Sequence, residues 1–355
     1  TEERAREGLR AALADGATRP RAVAVLTAVF VQQSEWRAAL ELLEVRLDVA
    51  PTTDARVAAL LEAAVWAEQR CADVAFAYGC VERAFLLVPE REELEHDLVR
   101  LAGEADRWAA AADAFAKAAA GCATGDGRAL LPRLRFAEAQ IRDAHTGEAA
   151  AALGLYRQVV EAEPSRVDAA DAAVRVALGL QRWTDAAEVM VLHGRAAGRL
   201  SRAHVALAEA VPEEVAWDAL TAALTDALAR SAPLDPAITR DLEERVALWH
   251  RDRRRDEAAA EAAFQRALAH APDDASLLGA LAELQRRHRG RPLIDSLVRL
   301  SRVTGGDLDL LREAGEVALA VGDRAEARAI LERTLELASQ RWQDDGGEGG
   351  PIRRG

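Results

Sequence analysis

The chain has 355 residues, half of them apolar and only 4% aromatic, and carries a formal net charge of −13. Such acidity argues against a general nucleic-acid binder, and no apolar run approaches the ~20 residues that cross a membrane. The three cysteines, Cys71, Cys80 and Cys122, lack metal-ligand spacing and read as buried free thiols.

Helical periodicity runs through the sequence in pairs of segments. Residues 2–15 read as a helix with Leu9 and Leu13 on one face. Residues 20–33 and 35–50 form the first clear hairpin, with Val23, Leu26, Phe30, Trp36, Leu40, Leu43 and Leu47 at three- and four-residue steps. Pro51 ends it, because proline cannot continue a helix. Further pairs follow at about 54–70 and 73–88, 91–104 and 107–120, then, after a glycine-rich loop at 121–127, 130–144 and 147–162. The next are 166–180 and 184–197, and a less regular pair at 201–211 and 213–230. Asp235-Pro236 opens 236–251 as cap and first residue, paired with 255–270. Pairs at 274–288 and 291–303, and at 307–320 and 323–339, complete the array. Residues 343–355 are glycine-rich and aperiodic and read as a flexible tail or linker. Residues 1–342 are expected to be one continuous array. No segment alternates as a strand would.

A phrase recurs in the second member of these pairs. Trp36-Arg37-Ala38-Ala39 leads to Leu43 and Pro51. Trp108-Ala109-Ala110-Ala111 leads to Phe115 and Ala118, and Trp183-Thr184-Asp185-Ala186 leads to Met190. Glu257 leads to Ala260, Phe264, Ala267 and Pro272. Trp36 to Trp108 is 72 residues, Trp108 to Trp183 is 75, and Pro51 to Pro89 is 38. These are multiples of about 36–38, the range of two-helix repeats. The phrase tryptophans read as wedges between helices.

These repeats resemble the tetratricopeptide family. Ala39, Ala77, Ala111, Ala152, Ala186, Ala260 and Ala327 match its small residue early in the second helix. Leu43, Val81, Phe115, Tyr156, Met190, Phe264 and Leu331 match the large one, and Ala84, Ala118 and Ala267 the second small one. Pro51, Pro89, Pro164 and Pro272 match the terminal proline, and Gly315 the first-helix glycine. That glycine is replaced by Thr27, Val99, Val174 and Leu248, and the second small residue by Arg46 and His193. The resemblance implies an all-α, right-handed solenoid of about eight or nine stacked antiparallel hairpins.

The same resemblance places first helices on a concave groove. Carried across repeat by repeat, its groove positions fall on Glu62, Trp66, Gln69, Arg70, His96, Arg100, Ile141, Asp171, Arg175, Arg245, Trp249 and Arg253. Trp66, Arg70, His96, Arg100, Arg175, Arg245 and Trp249 form the candidate peptide-binding set, since tryptophan and arginine are enriched at interface hot spots. Burial of Trp66 and Trp249 between repeats is the competing reading. Arg251, Arg253, Arg254 and Arg255 form a basic run that reads either as a solvated turn interleaved with acids or as a docking patch for an acidic partner.

No HExxH, GxSxG or P-loop occurs, and no carboxylate pair stands out, so neither catalysis nor a cofactor is expected. The expected function is a non-catalytic scaffold binding a protein or peptide, acidic in character. The alternatives are a homo-oligomeric assembly subunit, a piece of a larger multidomain protein, and, least supported, part of an enzyme. With no signal peptide visible, a cytoplasmic location is expected.

Overall fold

The computed structural model describes residues 7–8, 11–211, 214–231 and 233–344. The expected contribution of Leu9 and the tail from 345 onward lie outside the described residues. The described residues form helices and turns with no strand, and fall into two compact units, Thr1–Glu163 and Pro164–Gly355.

The first unit contains four antiparallel hairpins among its described residues. Helix α1 (Arg19–Gln32) packs on α2 (Trp36–Glu41) and α3 (Leu43–Val49). A single helix was expected over 35–50. The chain instead breaks at Leu42, whose N–H closes a tight turn onto the Ala39 carbonyl at 3.3 Å. Helix α4 (Thr53–Cys71) pairs with α5 (Val74–Leu87), α6 (Glu92–Ala105) with α7 (Trp108–Gly121), and α8 (Leu131–Ile141) with α9 (Ala149–Ala162). A 3₁₀ turn at Gly125–Leu130 fills the glycine-rich loop before α8.

The second unit begins with α10 (Val167–Gly179) and α11 (Trp183–Ala197). The irregular segment supplies α12 (Arg202–Glu209) and α13 (Glu214–Arg230). Here α12 packs chiefly on α10 and α13 on α11, first helix on first helix and second on second. Three hairpins follow: α14 (Pro236–Trp249) with α15 (Glu257–His270), α16 (Ala275–Gln285) with α17 (Arg291–Val303), and α18 (Leu308–Val321) with α19 (Arg324–Asp344). Helix α19 runs past the expected end at 339 and takes in residues 343 and 344 of the expected tail.

The repeating phrase is a packing code. Ala39, Ala77, Ala111, Ala152, Ala186, Ala260 and Ala327 are all fully buried at 0% exposure. Their small size lets the paired helices approach, and Phe115, Met190 and Phe264 fill the adjoining space, also at 0%. Gly315 is required by the same logic. A Cβ there would lie 2.8 Å from Leu331 Cδ2 and 2.9 Å from its Cγ. Trp36, Trp108 and Trp183 are half-buried wedges rather than core residues. Trp108 stacks on His145 at 3.6 Å between centroids and leaves Gly103 little room, 3.1 Å from a would-be Cβ.

Eight first helices end on a residue with left-handed backbone; the α12/α13 connection includes residues outside those described. The eight residues are Ser34, Ala72, Asp106, Gly147, Gln181, Arg255, Arg289 and Gly322. Only two are glycine, which hides the motif in the sequence. Ala72 to Asp106, Gly147 to Gln181 and Arg255 to Arg289 are each 34 residues apart. The underlying period is therefore 34, and the expected 36–38 averages over longer connections. These turns also differ in width. The N–H after the left-handed residue bonds five residues back in the narrow form, as Arg107 to Ala102 and Arg182 to Ala177, both at 2.8 Å. It reaches six back in the wide form, as Asp73 to Ala67, Glu148 to Arg142 and Asp256 to His250. Two of the wide turns close as π-helical segments, Arg142–Thr146 and His250–Arg254.

Candidate functional site

Turn width decides which first-helix side chains reach the surface. A wide turn inserts one residue, and one residue rotates a helix face by about 100°. Arg100 and Arg175 each sit six positions before a narrow turn's left-handed residue, and both are exposed. Counted the same way from the wide turns, Trp66, Ile141 and Trp249 fall at the groove positions the resemblance assigns, with burial as the competing reading for the two tryptophans. The inserted residue turns those three inward. Trp249 is 2% exposed, Ile141 is 4%, and Trp66 is half-buried. The presented residues are instead one position earlier: Val65 at 45% exposure, Gln140 exposed, and Leu248 half-buried.

In the first unit, Trp66 and Trp36 meet at 6.1 Å between centroids. The Arg46 guanidinium lies 5.2 Å from the Trp66 centroid and that of Arg70 lies 5.4 Å from the Trp36 centroid, both cation–π distances. Arg70 is thus a surface residue that covers an indole. His96 is exposed, with Nδ1 2.9 Å from the Glu92 carbonyl. Arg100 forks onto both Glu68 carboxylate oxygens at 2.6 and 3.1 Å and reaches Glu104 at 3.0 Å. The Glu68 hydrogen bond raises its pKa above the ordinary guanidinium range. Arg100 is therefore committed to acids of its own chain, which weakens it as an anchor for an acidic ligand.

In the second unit, Trp249 stacks obliquely on Trp217 at 5.3 Å and lies with Nε1 3.5 Å from Glu209 Oε1. That same oxygen accepts from Arg245 at 3.1 Å. The expected groove pair Arg245 and Trp249 is thus a partly buried structural cluster. The basic run is the π-helical turn itself. Arg251 forks onto Asp252 at 2.6 and 3.0 Å. Arg253 covers the Trp217 ring at 5.2 Å and donates to the Glu209 carbonyl at 3.3 Å. Arg254 bonds Asp218 and lies 2.6 Å from His250 Nδ1. Burial, then the charge of Arg254, lowers the His250 pKa. Arg255 is exposed and carries the left-handed backbone at φ 53°. Three of the four arginines are thus used inside the turn.

Arginine–carboxylate pairs also bridge hairpin to hairpin within each unit, three of them as two-point forks from Arg83, Arg100 and Arg286. In the first these are Arg83–Glu44, Arg91–Asp54, Arg100–Glu68 and Arg133–Glu92. In the second they are Arg230–Glu188, Arg245–Glu209, Arg240–Asp274 and Arg286–Glu313. Each exposed pair contributes at most about 1 kcal/mol, but planar forks fix geometry better than lysine would.

Arg175 lies on α10 of the second unit. It lines a cleft of about 330 Å³ with Leu178, Trp183, Leu207 and Val211, between the ends of α10 and α12. The cleft exists because α12, only eight residues long, packs directly on α10. Sequence reasoning found Arg175 but not its apolar neighbours on α12.

A second polar group was missed. His204 is fully buried, its ring centroid 5.1 Å from that of His193 and its Nε2 3.0 Å from Asp171 Oδ1. Nδ1 of His204 has no hydrogen-bond partner, and the Nε2–Asp171 contact is close without hydrogen-bond alignment. Burial, then the neighbouring His193, lowers its pKa to about 4. Burial raises the pKa of Asp171. The available signals were His193 at a small-residue position and His204 within an otherwise apolar helix face.

The helix order, the 34-residue spacing and the buried small and large positions make the chain a tetratricopeptide-like helical-repeat protein. No family model matches it, and no curated protein matches it. Among solved structures it is similar to a tetratricopeptide repeat protein from Parabacteroides merdae ATCC 43184, with 14% identity and a TM-score of 0.32 over 79% of this chain and 92% of that one. It is also similar to MamA, with 16% identity and a TM-score of 0.23 over 56% and 93%. Yeast Tom70 aligns at 14% identity and a TM-score of 0.28 over 94% and 88%. Among the described residues, no helix is long and apolar enough to cross a membrane.

Proposed function

We propose that this protein is a non-catalytic scaffold that binds a protein segment on its first-helix faces. The observation that carries the reading is the cleft between α10 and α12. Its floor is Leu178, Leu207 and Val211, and the exposed Arg175 stands at its rim. Apolar floor with a charged rim suits a short segment carrying an acidic residue beside apolar ones. Photo-crosslinking from position 207 tests it, with position 117 on the exposed face of α7 as control. A discrete protein crosslinked from 207, absent from 117 and lost in Arg175→Glu, supports the reading. The same products from both positions overturn it.

A second reading, assembly through the last hairpin, rests on its apolar surface. Leu319, Val321, Leu335 and Trp342 are 53, 48, 68 and 67% exposed. Leu268, which holds in α15 the place of Leu335 in α19, is 4% exposed beneath the next hairpin. A second copy stacked there would bury the same residues. Light scattering that shows an oligomer dissolved by Leu335→Glu supports this contact, and a monomer at every concentration refutes it.

A further inference from the structure

One cavity of the second unit shares no lining residue with the α10/α12 cleft. It lies where α11 ends and α12 begins, encloses about 640 Å³, and is lined by His193, Arg199, Leu200, Ser201, Arg202 and Asp241, among others. Its origin is legible in the repeat. His193 occupies the second small position, held by Ala84, Ala118 and Ala267 in other hairpins. A larger, polar side chain stands there, and the shortened α12 leaves space beside it.

The lining is built for an oxyanion. His193 is 3% exposed, and its Nδ1 lies 2.9 Å from the Pro164 carbonyl. A carbonyl only accepts, so Nδ1 carries a proton and is committed to that bond. Gly198 ends α11 with φ 69°, the left-handed turn that brings Arg199 back toward the helix end. Ser201 is the N-cap of α12, but its hydroxyl makes no capping bond, and the first turn of that helix holds no acid. The first-turn N–H groups of α12 are thus left without a side-chain acceptor at a positive helix end. Asp241, the one acid of the lining, is already bound by Arg240 at 2.7 Å. The Arg199 and Arg202 side chains, the Ser201 hydroxyl and the start of α12 therefore border one space beside the His193 ring.

We infer that this cavity binds the phosphate group of a small phosphate ester. Guanidinium forks match phosphate oxygens, and the volume falls within the range of small-molecule sites, about 300–1,000 Å³. Leu200 and Ala197 supply an apolar wall for the carbon part of the ester.

The test uses inorganic phosphate and glycerol 3-phosphate as probes, read by calorimetry and by NMR of the His193 ring. Saturable binding of both is expected, tighter for the ester, with the His193 resonances moving. Arg199→Ala/Arg202→Ala is expected to weaken binding about tenfold or more, while Arg302→Ala on α17 leaves it unchanged. Arg199 and Arg202 are exposed, so circular dichroism should show the double variant folded. Absence of saturable binding, unmoved His193 signals, or equal affinity in the double variant overturns the inference. Arg175→Glu should leave phosphate binding intact, which separates this site from the proposed protein-binding cleft.

Discussion

His204 makes stability depend on pH in a predictable direction. The unfolded ring titrates near 6.5, and burial beside His193 holds the folded value at about 4. Below about pH 6.5 the unfolded chain takes up a proton that the folded chain refuses. The contribution of neutral His204 is therefore whole above pH 6.5, declines as pH falls toward 4, and is flat below that. The gap of about 2.5 units corresponds to roughly 3 kcal/mol at most. Asp171 opposes this in part, because its raised pKa makes the folded carboxylate the readier proton acceptor of the two states. The assay is denaturant unfolding followed by tryptophan fluorescence at several pH values between 7 and 4, for the wild type and His204→Gln. Subtracting the two curves cancels the many surface carboxylates. The advantage of the wild type over the variant should shrink as pH falls from 6.5 to 4. A difference independent of pH would refute the buried, neutral assignment of His204.

Three substitutions test the packing. Gly315→Ala should destabilise by about 1–3 kcal/mol through overpacking against Leu331, and Leu331→Ala in the same chain should relieve the clash; additive losses would contradict the contact. Ala72→Gly should raise stability by about 1 kcal/mol, because alanine holds a left-handed φ of 53° there; a lower melting temperature would count against that backbone. Trp249→Ala should cost about 3–5 kcal/mol, as for a core aromatic, whereas a loss below 0.5 kcal/mol would restore Trp249 to the surface.

The hairpins were legible because their determinants are residue types. Ala77, Ala111 and Ala260 pack because they are small, and Pro51, Pro89 and Pro272 stop helices whatever surrounds them. Register along the first helices was not legible. It depends on turns whose left-handed residues are Ser34, Ala72, Asp106, Gln181 and Arg255, and of these only aspartate is a type enriched in such a backbone. A wide turn and a narrow turn read alike as sequence, so Trp249 was aligned with Arg100 and Arg175 although one residue separates their registers. Arg100 and Arg175 were found, but their partners were not, because Glu68 lies 32 residues from Arg100 and Leu207 belongs to the irregular segment. The cavity at Arg199 and Arg202 was hidden for a similar reason: it forms from the fit of α12 beside α11, not from a motif.

Turn width as the selector of the presented surface is open to a direct test by cysteine labelling. In a chain with Cys71, Cys80 and Cys122 replaced, single cysteines are placed at 140 and 141, and in a second pair at 248 and 249. The structure predicts fast labelling at 140 and slow labelling at 141 under native conditions, since Gln140 is exposed and Ile141 is 4% exposed. The 248 and 249 pair should show the same order. Faster labelling at 141 and 249 would mean that the wide turns do not shift the register, and the surface assigned to partner binding would be the wrong one.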